Sequence, residues 1–278
     1  MPWRYTEDSY REYTRTTWNG AATRYLGLAA LYDRVNPDLL ADLAPAAGES
    51  ILDLGTGPGE PALTIARAIG PSGRVTGIDL SEEMVRLADA AGRAASLENV
   101  EFRVMDSGHL DFADGRFDGI ACRFGFQIFT DPEGAAREAR RVLRPGGRCA
   151  IAVWGPGDRV PLLDVVVGPM LRHAEPDEGG YLPTPYELGG PGELVRLLTE
   201  AGFRTARERR VEHAWMFRSA EEYLELLLEG TPLGHSLAEE DPEVRAVVLR
   251  EARDALASHA TADGIRLPGE VVHVLAER

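Results

Sequence analysis

The most constraining feature of the chain is ILDLGTGPGE, residues 51–60, an apolar run that contains one acid and is stopped by Gly55, Gly57 and Gly59. Such a run is a short buried strand, and the glycines after it permit a tight turn, positive φ and close approach of the backbone to a ligand. Further apolar runs follow in GRVTGIDL, NVEFRVMD, FDGIACRFG and GRCAIAVWG, with helix-period segments at 61–69, 82–95 and 133–143. Strands alternating with helices of this length imply a parallel sheet with right-handed crossovers.

Outside this interval the texture differs. Residues 1–50 read as helical and aromatic-rich, with Trp3, Tyr5, Tyr10, Tyr13, Trp18, Tyr25 and Tyr32, and Pro37 starts a helix that Gly48 is expected to close. Beyond Trp154, prolines and glycines surround one apolar helix at 160–174; a helix ending at Gly202, a strand TARERRVEHAWMF, helices at 219–229 and 242–258 and a last strand GEVVHVLAE complete the chain.

The spacing of the glycines is G-x-G-x-G, not the G-x-G-x-x-G of a dinucleotide turn, and Asp53 stands two residues before the first of them. A carboxylate there repels a pyrophosphate and suits a ligand bearing an amine or sulfonium cation. The second run ends at Asp79, placed to accept hydrogen bonds from ribose hydroxyls, and the third at Asp106, placed to accept from an exocyclic amine. An acid closing each of three successive parallel strands outlines an adenosine with a cationic tail.

A net charge of −15 argues against nucleic acid and anionic membranes as partners. The basic residues are all arginine, so Schiff-base and Walker-type lysine chemistry is excluded. Cys122 and Cys149 sit in apolar runs and read as core. The apolar runs are too short for a membrane span, and a cytoplasmic setting is expected.

The set LDLGTGPGE, GIDLS, MDSGHLDFADGRFD, CRFGFQIF and RRVLRPGG resembles the class I S-adenosylmethionine-dependent methyltransferases, most closely the ubiquinone/menaquinone-biosynthesis-like branch acting on small molecules. The resemblance implies an α/β fold, a Rossmann-like doubly wound, mostly parallel seven-stranded sheet with an N-terminal helical arm and helical cap insertions. Its expected divisions are 1–45 for the arm or lid, 46–155 for the cofactor-binding core, 156–190 for the cap insertion, and 191–278 for completion of the sheet with a helical insertion at 219–258. It implies S-adenosylmethionine as cofactor and S-adenosylhomocysteine as product. Gly55, Thr56, Gly57 and Gly59 would underlie the methionine moiety and Asp53 would lie below its amino group. Asp79 would hold the ribose, Leu80 and Met84 would flank the adenine, Asp106 and Ser107 would meet its edge, Arg123 and Phe124 would face the cofactor, and Trp18 would close over it. VLRPGG is expected to be a turn without chemistry.

The implied activity is methyl transfer to a small, apolar or aromatic metabolite, by C- or O-methylation, as in secondary metabolism. The candidate base is His173, in the cap segment; Tyr10, Tyr13, Phe124, Gln127 and His173 are the candidate substrate contacts. His109 is expected to pack beside the cofactor, and Tyr5, His213 and His235 are further candidates. The sequence has no close-spaced metal motif, so no metal is expected. The aromatic arm would suit either a lid or a homodimer contact. The alternatives are a nicotinamide-dependent oxidoreductase, opposed by the glycine spacing, by Asp53 and by the lack of a Tyr-x-x-x-Lys pair, and a non-catalytic S-adenosylmethionine-binding protein.

Overall fold

The computed structural model describes residues 7–173 and 184–278. The apolar runs become strands β1 (Ser50–Leu54), β2 (Arg74–Asp79), β3 (Val100–Val104), β4 (Phe117–Arg123) and β5 (Leu143–Trp154), all parallel to one another. β6 (Thr205–Phe217), the short β7 (Ala260–Thr261) and β8 (Gly264–Glu277) follow. The order is β3-β2-β1-β4-β5-β8-β6, with β8 antiparallel to both β5 and β6. This is a mixed α/β, Rossmann-like sheet. The expected strands form one path, and β7, paired only with β8, is an addition that the two-residue length of the element hides from any periodicity.

Alternation along β1 sets the two faces. Ile51 joins the core on one face, while Leu52 and Leu54 join the core on the other, so Asp53 shares the side of Ile51. The first face is covered by α1 (Glu7–Tyr32), α2 (Asn36–Leu43) and α3 (Ala62–Ile69), and α4 (Glu82–Ala94) follows β2. The other face is covered by α5 (Pro132–Val142) and, later in the chain, by α7 (Glu193–Glu200). The remaining helices are α6 (Pro161–His173), α8 (Ala220–Gly230), α9 (Pro232–Glu239) and α10 (Pro242–Ala257). α6 packs on α10, and α1 lies along α8, α4 and α9. Among the described residues no helix is long and apolar enough to cross a membrane.

Two local expectations are corrected and one helix is added. α2 ends at Ala44, itself left-handed with φ 45°, and not at Gly48, which belongs to the turn into β1. VLRPGG is not a plain turn: β5 begins at Leu143 and its pairing with β4 shifts register between Phe117 and Gly119. α9 forms in TPLGHSLAEE, where proline and glycine mask the period but proline at the first turn starts a helix readily.

Candidate active site

The order β3-β2-β1-β4-β5 reverses direction between β1 and β4, and a crevice opens there beyond the carboxyl ends of the strands. At the end of β1 the chain turns through Gly55 (φ 67°) and Gly57 (φ 54°). A Cβ on Gly55 would lie 3.2 Å from the Phe129 ring, so residue 55 has neither the dihedral nor the space for a side chain. The turn is locked to β2 by Thr56 N donating to Ile78 O at 2.8 Å and Gly57 N donating to Asp79 Oδ2 at 2.9 Å.

Asp79 therefore has two tasks. Its other oxygen accepts from Ser81 N at 2.9 Å, and each carboxylate oxygen keeps a second lone pair for a ligand hydroxyl. Burial raises its pKa, and the amides of Ser81 and Gly57 oppose that rise. Ser81 caps α4 by accepting from Met84 N and donates to Asn19 Oδ1 at 2.6 Å, which stitches α1 across the end of β2. Asp53 is fully buried below the turn, outside the cavity wall, where it accepts from Ala62 N at 3.2 Å. Burial pushes its pKa up to about 7, against the opposing influence of Thr56, Arg123 and the Ala62 amide.

Asp106, just past β3, accepts from Gly108 N at 2.8 Å and pairs with Arg11 Nε at 2.8 Å. Arg123 ends β4 with a nearly buried guanidinium that donates to Asp33 and Asn36, each at 2.8 Å, and to Glu60 O at 3.2 Å. It fastens the α1–α2 corner to the glycine turn while reaching the cavity. Phe124 follows with φ 60°, and its ring stacks on Trp154 at 4.0 Å between centroids. Tyr32 meets both rings edge-on at 5.4 and 5.3 Å. Gln127 accepts from Trp154 N at 2.8 Å.

These groups border one cavity of about 280 Å³. By chemistry the lining falls into two sets: Gly55, Gly57, Asp79, Leu80, Met84, Asp106 and Ser107, with Trp18, form the first. The second is Tyr10, Tyr13, Phe124 and Gln127, joined by Leu163 and Val167 of α6, Leu227 of α8 and Leu233 of α9. Tyr13 Oη lies 2.6 Å from Ser236 Oγ, tying α1 to α9. Burial pushes the Tyr10 and Tyr25 phenols up to about 12 and Tyr32 well above its ordinary value, so these three are neutral.

Several expected residues are elsewhere. Thr56 and Gly59 support the turn without lining the cavity. His173 does not reach it: α6 turns Leu163 and Val167 inward, and the helical period carries His173 to another face, where Nε2 lies 2.7 Å from Glu251 Oε1. His109 is mostly solvent-exposed, not packed inside. His235 approaches Tyr13 at 6.2 Å from outside, and His213 faces α2. Tyr5 lies outside the described residues. Among the described residues, no histidine lines the cavity. Sequence reasoning missed Trp154, although it ends the fifth apolar run at the same sheet edge, and it missed the walls from α8 and α9, for which no local signal exists.

A methyltransferase-domain family matches residues 51–147. An arsenite methyltransferase of Halobacterium salinarum is 38% identical over 42% of this chain and 29% of its own length. A demethylmenaquinone methyltransferase of Staphylococcus aureus is 29% identical over 62% of this chain and 74% of its own. The chain spans about a third of the length of the first curated relatives it matches. Among solved structures, the YcgJ protein of Bacillus subtilis superposes with a TM-score of 0.61 at 20% identity, over 88% of this chain and 98% of that one, which is a likeness of fold.

Proposed function

We propose, of a chain that belongs by domain match and fold to the class I S-adenosylmethionine-dependent methyltransferases of the menaquinone/ubiquinone-like branch, that it methylates a small apolar or aromatic metabolite. The observation that carries this reading is that the wall of one cavity combines a backbone turn and carboxylates with aromatic and aliphatic side chains. When bound, S-adenosylmethionine supplies an electrophilic methyl on a cationic sulfur. The donor set fits it: Gly55 and Gly57 offer backbone without side chains, Asp79 has lone pairs for ribose hydroxyls, and Asp106 lies at the adenine side. Asp53, below the turn, supplies a nearby acid that a cationic ligand favours in its ionised form.

At the acceptor end the protein's work is to orient the nucleophile about 3–3.5 Å from the methyl and to exclude water. With Tyr10, Tyr25 and Tyr32 neutral and no histidine lining the described wall, the site suits an acceptor that brings its own acidity or lone pair, such as a phenol, quinol or stabilised enol. The name of the demethylmenaquinone methyltransferase relative points to an acceptor of that kind. A thiophilic acceptor such as the arsenite in the other relative's name fits less well. Cys122 and Cys149 are both wholly buried, and burial pushes their thiols above the ordinary range.

Calorimetry with S-adenosylhomocysteine and with NADH tests the cofactor. Micromolar binding of the first and none of the second is expected, and the reverse would overturn the reading. Transfer of a labelled methyl across a panel of phenols and quinols then tests turnover, and a protein that binds S-adenosylhomocysteine yet labels no member of the panel opposes the acceptor class.

A further inference from the structure

Asp38 and Asp42 lie one turn apart on α2, and that helix packs against β8. On the sheet, Arg209 of β6 stands directly across from His273 of β8, and the two-residue period puts His213 on the same face of β6 as Arg209. Arg209 forks onto the acids: Nε donates to Asp42 Oδ1 at 3.0 Å, Nη2 to Asp42 Oδ2 at 2.7 Å and Nη1 to Asp38 Oδ1 at 3.0 Å. The carboxylates are thereby satisfied and held in place.

The imidazoles are not. His273 is wholly inaccessible to solvent, and neither of its ring nitrogens has a hydrogen-bond partner; His213 Nε2 has none either. The nearest acid oxygens are Asp42 Oδ2, 3.4 Å from His273 Nδ1, and Asp38 Oδ2, 3.7 Å from His213 Nε2. Both rings therefore present a nitrogen that no hydrogen bond occupies. Buried polar atoms are ordinarily paired, and an arginine–carboxylate cluster alone leaves these nitrogens unexplained.

We infer that Asp38, His213 and His273 form a zinc site that joins α2 to the β6–β8 pair, with Asp42 and Arg209 as outer partners that fix the carboxylates. Donor atoms of the three lie within 4.8 Å of one another. Two imidazoles and a carboxylate suit zinc and are a poor set for magnesium or calcium, which take oxygen. Asp38 and Asp42 balance Arg209 on the acids and Arg34 beside His213, so a dication enters a cluster without net positive charge. Bonds of about 2.0–2.2 Å require the donors to draw inward. Asp38 and His213, both partly exposed, can rotate to do so around a His273 held in the sheet. The expectation of no metal rested on close-spaced motifs, whereas these ligands come from three elements far apart in the chain. The inference is independent of the methyl-transfer reading.

The test uses the untagged full chain, stripped with chelator and re-equilibrated with zinc. Elemental analysis should find one zinc per chain, and cobalt(II) in its place should give the intense visible bands of a tetrahedral site. His213→Ala and Asp38→Asn should each weaken zinc binding by more than the roughly 10–100-fold that loss of an outer partner costs, with circular dichroism and S-adenosylhomocysteine affinity unchanged. His273 is too buried for its substitution to be informative. Substoichiometric zinc in the wild type, or stoichiometric zinc retained by both variants, would overturn the site; if a variant does not fold, the wild-type zinc content and cobalt spectrum decide.

Discussion

The two chemical sets that line the cavity, a carboxylate end and an acceptor end, are built in different ways. The carboxylate end comes from consecutive β-to-α turns, and its geometry is mostly backbone: Gly57 N on Asp79, Ser81 N on Asp79 and Gly108 N on Asp106. The acceptor end comes from side chains of α1, α6, α8 and α9 and the ends of β4 and β5, elements separated by most of the chain. The first end is set by local hydrogen bonds that any similar turn repeats. The second is set by which helices happen to pack, and can be reshaped by substitution without disturbing the first.

The largest expected effect concerns the acid beneath the turn. The folded pKa of Asp53, about 7, lies above its unfolded value near 3.8, so its contribution to stability is most favourable below about pH 4. That contribution falls as pH rises towards 7 and is level above it. At 1.36 kcal/mol per pKa unit the loss approaches ~4 kcal/mol. Asp53→Asn should abolish that dependence, stabilising the protein at pH 8 relative to pH 5 in urea unfolding; an unaltered pH profile would mean that Asp53 is ionised without penalty and that the turn stores no such strain.

Next, Asp79→Ala should weaken S-adenosylhomocysteine binding by about 1.5–3 kcal/mol, the scale of hydrogen bonds to a charged group, with the acceptor KM little changed. Unchanged affinity in calorimetry would break the assignment of the two ends. At the acceptor end, Phe124→Ala removes the stack on Trp154 and should raise the KM of an apolar acceptor by about 0.5–1.5 kcal/mol in binding terms. S-adenosylhomocysteine affinity should hold, and a loss of it instead would merge the two ends into one unit. The smallest effect is expected for Tyr10→Phe, a change in kcat within about threefold, because a phenol neutral at working pH moves no proton; a fall of about 10²–10⁴ would identify a general base and overturn the base-free acceptor end.

Much of the carboxylate end was legible in the sequence because strand, turn and acid are contiguous there. Gly55, Gly57, Asp79 and Asp106, which spacing put on one edge, and Ser107, which the resemblance added, all line the cavity. The acceptor end was legible only in its aromatic character: Tyr10 and Tyr13 line it, but His173, chosen for its place in an apolar helix, points to Glu251. A helix's period tells which residues share a face, not which face meets the cavity. Arg123 was expected to face a ligand and is in addition a tie among Asp33, Asn36 and the Glu60 carbonyl, partners that no spacing rule connects.

By itself the sequence determined the alternation of β1 to β5 with their helices and the acids at the carboxyl ends of the strands, because each depends on residues within one or two turns of each other. Only the tertiary structure decided that α8 and α9 close the far wall, that Phe124 and Trp154 stack, and that Asp38, His213 and His273 converge behind the sheet. Those contacts arise from helices and strands brought together by burial of apolar surface, which constrains how much each element hides and leaves its distant neighbours to the packing of the whole chain.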